Sequence, residues 1–341
     1  MSQPDLSVII PVYNRGEIIR YTFESVRRAS ERLTVETIVV DDGSSPPAAD
    51  MLARLGLHPS RLVRQDNQGL LFARLAGLAQ ASGYHVLFLD SDDLVGPEKF
   101  RRQIAAMNAT GAEISYSDSA RCVLEGDYDR LAVVPDGPAA DTADATEFCL
   151  EVQPAPHSPI FLTAWLKEAV AQAFFPPSPL YNCVAEIWFY HNAAPRAGQA
   201  VRVPGPHTIV GLHPGARLTN HWERLAVASL AVMEAFARAC PDTPDAPRAQ
   251  QLVAEAAFRS WRKLPRNFNG EFCERILGLW RKLGPGRRQK LGENNFQIVA
   301  RILGPATAGR LLRCWQAKPY ASCRTLPDEE VERLLRAIPP P

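Results

Sequence analysis

The sequence predicts an α/β protein, a Rossmann-type and mostly parallel sheet followed by an α-helical C-terminal region, and three observations carry that prediction. Short β-branched runs alternate with amphipathic stretches from Leu6 to about Ala109, the pattern of a right-handed parallel sheet. Val86-Leu87-Phe88-Leu89 is apolar without alternation and leads into Asp90, Asp92 and Asp93. That is expected of a strand buried on both faces, with carboxylates at the carboxyl end where open α/β sheets bind ligands. Beyond Asn220 the apolar spacing becomes helical, broken at intervals by Gly and Pro.

Leu6 to Val12 reads as the first strand, closed by Tyr13-Asn14-Arg15-Gly16, and Glu17 to Ser30 as a helix with Ile18, Ile19, Phe23 and Val26 on its apolar side. Val35 to Val40 is the second strand. It ends in Asp41-Asp42-Gly43-Ser44-Ser45, where glycine permits a tight turn and serine can cap a following helix. Arg61 to Arg64 is a short third strand, Asn67-Gln68-Gly69 turns, and Leu70 to Ala81 is an Ala/Leu-rich helix holding Arg74. Tyr84 to Leu89 is the fourth strand, and Pro97 opens a helix to Ala109 from a tolerated first-turn position. Glu113 to Ser117 and Ala200 to Val210 read as further strands, and helices are expected at 221–239, 247–263, 271–283, 294–303, 306–316 and 328–337. The expected division is an α/β domain at 1–222 and an α-helical region at 223–341.

Asp90, Asp92 and Asp93 cannot all sit buried as anions without a counter-charge. Such oxygen-rich clusters are what Mg²⁺ or Mn²⁺ takes, sharing the metal with substrate phosphates. The plainer reading is an acidic solvated loop capping the helix near Pro97. No Gly-x-Gly-x-x-Gly follows the first strand and no Gly-Lys-Ser loop occurs, so a metal is left to do what a phosphate-cradling loop would.

A chain of 341 residues can bury a full core and hold a large domain plus a smaller one. Its seven cysteines are odd in number and form no Cys-x-x-Cys pair, so neither a disulfide framework nor a zinc site is indicated. Met-Ser-Gln-Pro-Asp lacks the basic start and apolar core of a signal peptide, and no apolar run approaches the length that spans a bilayer. The expected location is the cytoplasm, with the inner face of the membrane as the place of any peripheral contact. The net charge of +1 conceals a division: 259–318 holds fourteen Lys and Arg against three Glu, or +11, leaving 24 basic against 34 acidic residues, or −10. Basic faces beside Trp261, Phe268, Trp280, Phe296 and Trp315 suit an anionic membrane surface. Nucleic acid is a competing but disfavoured partner. The plainest account is that these arginines solvate a helical bundle or face the acidic domain.

Four motifs stand in register: Ser-Val-Ile-Ile-Pro-Val-Tyr-Asn at 7–14, Ile-Val-Val-Asp-Asp-Gly-Ser-Ser at 38–45, Asn-Gln-Gly at 67–69 and Phe-Leu-Asp-Ser-Asp-Asp at 88–93. Together they resemble the family 2 glycosyltransferases, firmly over about residues 5–120 and more loosely to about 222. The resemblance implies a GT-A-like fold, a nucleoside-diphosphate sugar donor with UDP in first place, an inverting transfer to an acceptor hydroxyl, and Mn²⁺ or Mg²⁺. It implies a nucleotide site at Pro11, Tyr13, Asp42, Arg74 and Asp90: Tyr13 stacks on the base, Asp42 accepts from its ring N–H, Arg74 lies beside the nucleotide and Asp90 lies near the ribose. Asp92 is the implied metal ligand, with Asp93 as a second. A metal neutralises charge on the departing diphosphate without proton transfer.

An inverting transfer also needs a base on the sugar face opposite the diphosphate. The family supplies it from a Glu-Asp pair opening a helix. The matching stretch, Ala185-Glu186-Ile187-Trp188-Phe189-Tyr190, lacks the Asp, so Glu186 falls on the base position; Asp118 is the rival. Gly211 to Thr219 is similar to a family segment in which a His precedes a turn closing over the diphosphate. His213 is then a metal ligand or phosphate donor, and Arg217 faces the phosphates. The acceptor would be a glycan, a lipid-linked molecule or a protein in cell-surface polysaccharide or glycoconjugate synthesis. Two other classes stay open. One is a catalytically silent nucleotide-sugar binding module, given the missing Asp. The other is a nucleotidyltransferase, although the Gly-rich, Lys-containing start for a triphosphate is missing after Val12.

Overall fold

The computed structural model describes residues 3–214, 220–284 and 286–339. The chain forms two compact units: Met1–Phe148, Val152–Ala173 and Ala197–Gly215 in the first, Cys149–Glu151, Phe174–Arg196 and Ala216–Pro341 in the second.

The first unit is built on a mixed sheet of nine strands among the described residues: β1 (Leu6–Val12), β2 (Val35–Asp42), β3 (Arg61–Gln65), β4 (His85–Phe88), β5 (Leu94–Val95), β6 (Ile114–Val123), β7 (Val133–Gly137), β8 (Ile160–Leu162) and β9 (Ala200–Leu212). Their order is β3-β2-β1-β4-β8-β6-β9-β5, with β7 on β6. The β3-β2-β1-β4 half is parallel, as the alternation of strands and helices predicts. Beyond it, β8 runs antiparallel to β4 and β6, while β9 lies parallel to β6 and carries β5 antiparallel on its far side.

Every residue of β1 is buried, because helices cover the sheet. Val8, Ile10 and Val12 share one core with Val39, Leu87 and Leu89, with Ile19 and Val26 of α1 (Ile19–Ala29), and with Phe100, Ile104 and Met107 of α4 (Lys99–Thr110). Each fully buried side chain of this size contributes about 1.5–3 kcal/mol. Between them, α2 (Ala48–Arg54) and α3 (Leu70–Gln80) complete the crossovers, and the one-turn α5 (Ala145–Glu147) and α6 (Thr163–Ala171) flank β8 in the chain. At the amino edge of the sheet Glu36 is buried and accepts from Ser82 N–H at 2.6 Å, Gly83 N–H at 3.1 Å and the Ser7 hydroxyl. Burial alone would raise its pKa, but the bonds from Ser7, Ser82 and Gly83 outweigh that and hold it low. That edge is closed by structure, and the carboxyl edge is left for ligands.

The second unit is helical. It contains α7 (Ala185–Ala193), α8 (Trp222–Ala239), α9 (Ala246–Lys263), α10 (Gly270–Leu283), α11 (Asn294–Leu303), α12 (Pro305–Gln316) and α13 (Asp328–Arg336). Phe258 is the hub of its core, with ring centroids 5.4 Å from Trp261, 4.7 Å from Trp280 and 5.8 Å from Phe296. Trp261, Phe268, Trp280 and Phe296 are all buried, which leaves Trp315 as the one exposed member of the aromatic set read beside the basic faces. Much of the positive charge there is spent within the unit: Arg275 pairs with Glu234 at 2.6 Å, Arg287 with Glu255 at 3.1 Å and Lys290 with Glu151 at 2.7 Å. These carboxylates lie outside the 259–318 interval, so the charge count along the chain overstates the free charge. All seven cysteines are free thiols, and among the described residues no helix is long and apolar enough to cross a membrane.

Candidate functional site at the carboxyl edge of the sheet

The turn after β2 is held by its two adjacent aspartates in different ways. Asp41 faces inward, accepting from Ser44 N–H at 2.8 Å and Ala48 N–H at 3.0 Å while pairing with Arg64. Burial raises its pKa, but the bonds from Ser44, Ala48 and Arg64 overcome that and keep it below the usual carboxylate range. Asp42 turns the other way and accepts from Gln65 Nε2 at 2.8 Å, Gln68 N–H at 2.9 Å and Gly69 N–H at 2.8 Å. The Asn67-Gln68-Gly69 turn is therefore the mount of Asp42. Gly43, at φ +79°, makes the approach feasible, because a Cβ there would lie 2.7 Å from Asn67 N. Three donors leave the carboxylate one acceptor position for a further N–H.

Tyr13 follows β1 with 53% of its surface exposed, and Pro11 is buried within that strand. The turn beyond Tyr13 is tied to the Asp41 turn by Asn14 N–H to Ser44 Oγ at 3.0 Å and by Ser45 N–H to Asn14 Oδ1 at 2.8 Å. Arg74 of α3 is buried and reaches Asp90 Oδ1 at 2.8 Å, with its guanidinium 5.7 Å from the Phe88 ring centroid. The ion pair satisfies the charge that burial of Arg74 demands.

Asp92 gathers the rest. His213 Nε2 lies 2.8 Å from its Oδ2, and Arg15 Nη2 stands 3.3 Å from the same oxygen while Arg15 Nε donates to Ser91 Oγ at 3.2 Å. Asp93 is used differently. Its Oδ1 accepts from Gly211 N–H at 2.9 Å, and its Oδ2 is 3.0 Å from Nδ1 of the fully buried His157. His157 Nε2 faces the Ile209 carbonyl at 3.2 Å and donates to it. β9 passes the Asp92 carbonyl oxygen so tightly that any Cβ at Gly211 would fall inside van der Waals contact with it.

The loop that presents His157 is itself anchored in a buried polar network. Lys99 Nζ donates to the Ser158 carbonyl at 2.8 Å and to Thr208 Oγ1 at 3.0 Å, and Ser158 Oγ donates to the Ser117 carbonyl at 2.9 Å. Burial pushes Lys99 well below the ordinary lysine range. His157 carries no sequence signal of a role here, while Arg15 stands beside one recognised motif and Gly211 opens another recognised segment without a role of its own being read there.

Asp118 is a poor candidate for a base. Arg202 grips its Oδ1 at 3.0 and 2.7 Å, Ala139 N–H donates to Oδ1 at 2.9 Å and Gly205 N–H to Oδ2 at 2.9 Å. Burial raises its pKa, yet the bonds from Gly205, Ala139 and Arg202 win and lower it. Glu186 stands half-buried on the first turn of α7, in the second unit. Arg217 lies outside the described residues.

Asp92 Oδ2 and His213 Nε2 lie 2.8 Å apart, hydrogen-bonded to each other, and no set of three His, Cys, Asp or Glu suited to a metal occurs among the described residues. This pair would hold Mn²⁺ or Mg²⁺ only by exchanging its mutual hydrogen bond for the cation, with the remaining positions filled by water and substrate phosphate oxygens.

An open α/β sheet with acidic groups at its carboxyl edge and no phosphate loop is the architecture of GT-A transferases. The chain overlays a solved structure of S. aureus TarS 1–349 in complex with UDP-GlcNAc at a TM-score of 0.64 and 16% identity, covering 95% of this chain and 93% of that one. Residues 7–141 match the model of Glycosyl transferase family 2, so this segment is similar to that family. The succinoglycan biosynthesis protein ExoO of Rhizobium meliloti is 36% identical over 124 residues, 36% of this chain and 35% of the relative. The undecaprenyl-phosphate 4-deoxy-4-formamido-L-arabinose transferase of Serratia proteamaculans is 39% identical over 105 residues, 29% of this chain and 32% of the relative. The chain thus spans about a third of the length of these relatives.

Proposed function

We propose that this protein transfers a sugar, with inversion, from a nucleoside-diphosphate donor, UDP-linked in first place, to an acceptor hydroxyl, and that it depends on Mn²⁺ or Mg²⁺. The observation that carries the reading is the pairing of Asp92 with His213 beyond β4 and β9, in the same unit as the Asp42 turn and the exposed Tyr13. The names of the relatives support a role in cell-surface polysaccharide or glycoconjugate synthesis, and the UDP and UDP-GlcNAc complexes of TarS support the donor class. The acceptor is proposed to be a glycan, a lipid-linked molecule or a protein, with region 259–318 bringing the enzyme to the inner face of the membrane.

In this reading the Tyr13 ring stacks on the base and Asp42 takes the base N–H at its remaining acceptor position. The Arg74–Asp90 pair lies at the ribose side, and Arg217 faces the phosphates. Asp92 and His213 would hold the cation, which when bound supplies charge neutralisation to the departing diphosphate. Asp93 could join them only by giving up part of its hold on Gly211 or His157. Glu186 takes the proton of the acceptor hydroxyl as that oxygen bonds to the anomeric carbon and the bond from carbon to the diphosphate oxygen breaks.

The test is a panel of nucleotide sugars with the purified protein, read by calorimetry and by nucleoside diphosphate release, with Mn²⁺ and with EDTA. Metal-dependent binding and release support the proposal. No binding of any donor would remove it. Tight binding without release in the presence of acceptors would favour the silent binding module, which Ile187 in place of the family's Asp keeps in view.

A further inference from the structure

α11 and α12 form a helical hairpin whose outer surface is apolar. Its inner face is spent on the core: Phe296, Ala300, Ala308 and Gly309 are buried, and a Cβ on Gly309 would collide with the Trp261 ring. On the outer face Trp315 is 91% exposed, Ile302 79% and Ile298 60%, and Leu303 and Leu311 are exposed as well. Ile298 and Ile302, like Leu311 and Trp315, are four residues apart and stand one above the other on their helices. A soluble surface does not ordinarily collect large apolar side chains in this way.

The charge around the patch is mostly positive, although Arg310 lies 4.0 Å from Glu274 and Arg324 3.0 Å from Asp328. From Asn294 to Pro327 there is no Asp or Glu, while Arg301, Arg310, Arg313, Lys318 and Arg324 are present. Between α9 and α12 a cleft of about 190 Å³ is lined by Arg262, Lys263 and Arg313 with no carboxylate among its lining residues. A second copy of this chain, docked face to face, would bring these cations against their own equivalents. An anionic lipid surface meets both properties, because apolar side chains enter the acyl boundary while Arg and Lys stay at the phosphates and tryptophan sits between.

We propose that the α11–α12 hairpin is the surface through which this protein docks, lying in plane, on an anionic bilayer. The inference rests on the reading that region 259–318 meets a membrane, and it names the residues that do so. The full chain is sedimented with vesicles of phosphatidylglycerol and phosphatidylcholine, and with phosphatidylcholine alone, at low and high salt. Two double variants are compared with it, Ile302→Ser with Trp315→Ser and Arg301→Gln with Arg310→Gln, all at exposed positions where folding is not at stake.

Wild type is expected to bind the anionic vesicles and to lose binding with salt. The charge variant should lose about fivefold in partitioning for each cation removed, and the apolar variant at least about tenfold. The tryptophan emission should shift blue on anionic vesicles and fail to shift in Trp315→Phe. Undiminished binding by both double variants overturns the hairpin while leaving the regional reading standing. A wild type that ignores every vesicle overturns both. Self-association of the wild type that the apolar variant abolishes, without vesicle binding, assigns the patch to a second copy and overturns the proposal.

Discussion

Nε2 of His213 lies 2.8 Å from Oδ2 of Asp92 across 121 residues of chain, and Arg15 shares that oxygen at 3.3 Å. The Asp92 carboxylate thus faces both a guanidinium and an imidazole. Asp92→Asn is expected to abolish Mn²⁺ binding in the presence of UDP, read by electron paramagnetic resonance. His213→Ala should weaken it by more than the roughly 100-fold typical of residues that only orient a ligand. UDP affinity without metal should stay within about twofold for both, because Asp42 and Tyr13 are untouched. Unchanged Mn²⁺ affinity in both variants would remove the metal from this site.

Asp93 sits next to Asp92 in the chain, but its oxygens are held by Gly211 and His157. Asp93→Asn and His157→Gln should each lower Mn²⁺ affinity by about 10–100-fold, the size expected when a supporting partner is lost. The double variant should be little worse than either alone, since the two residues act as one unit. If Asp93→Asn abolishes Mn²⁺ binding while His157→Gln leaves it unchanged, Asp93 is a ligand in its own right.

Glu186→Gln preserves size but removes proton acceptance, so transfer should fall by roughly 100-fold or more with donor affinity unchanged. Asp118→Ala should behave otherwise. It leaves Arg202 without its carboxylate where both side chains are largely buried, a loss of about 3–5 kcal/mol visible in urea unfolding. A near wild-type rate in Glu186→Gln would remove Glu186 as the base and leave the role to Asp118 or to no residue.

His191 supplies a pH test of the helical unit. Its Nδ1–H donates to the Ile187 carbonyl at 2.9 Å, its ring packs edge-on to Phe236 with centroids 5.6 Å apart, and burial pushes its pKa down to about 4. The unfolded imidazole titrates near 6.5. In the window between these values the unfolded chain binds a proton that the native chain does not, so stability falls as pH falls from about 6.5 to about 4 and rises in the other direction. The loss attributable to this group is up to about 3 kcal/mol. His191→Met should flatten that part of the curve, measured as the difference between wild-type and variant unfolding free energies at pH 7 and pH 4.5. Parallel curves would assign the acid sensitivity to other groups.

By itself the sequence determined the order and most boundaries of the regular elements. Periodicity and caps are local properties, and β1, α3, β4 and α11 fall where apolar spacing and Gly or Pro place them. It also determined that Asp42 and Asp92 stand at strand ends, because an apolar run that stops at a carboxylate can be read without knowing its neighbours. The tertiary structure alone decided the short strands β5, β7 and β8. With two to five residues each they have no period of their own and exist only through pairing with β9, β6 and β4. It alone decided how the neighbours Asp92 and Asp93, and Asp41 and Asp42, are differently held, because β9, His157 and the 67–69 turn arrive from distant parts of the chain. It decided as well which arginines of 259–318 meet Glu151, Glu234 and Glu255 and which tryptophan faces water. Linear sequence carries the number and sign of charges and the spacing of rings; pairing and burial depend on which surfaces meet, and those are set by contacts between residues far apart in the chain.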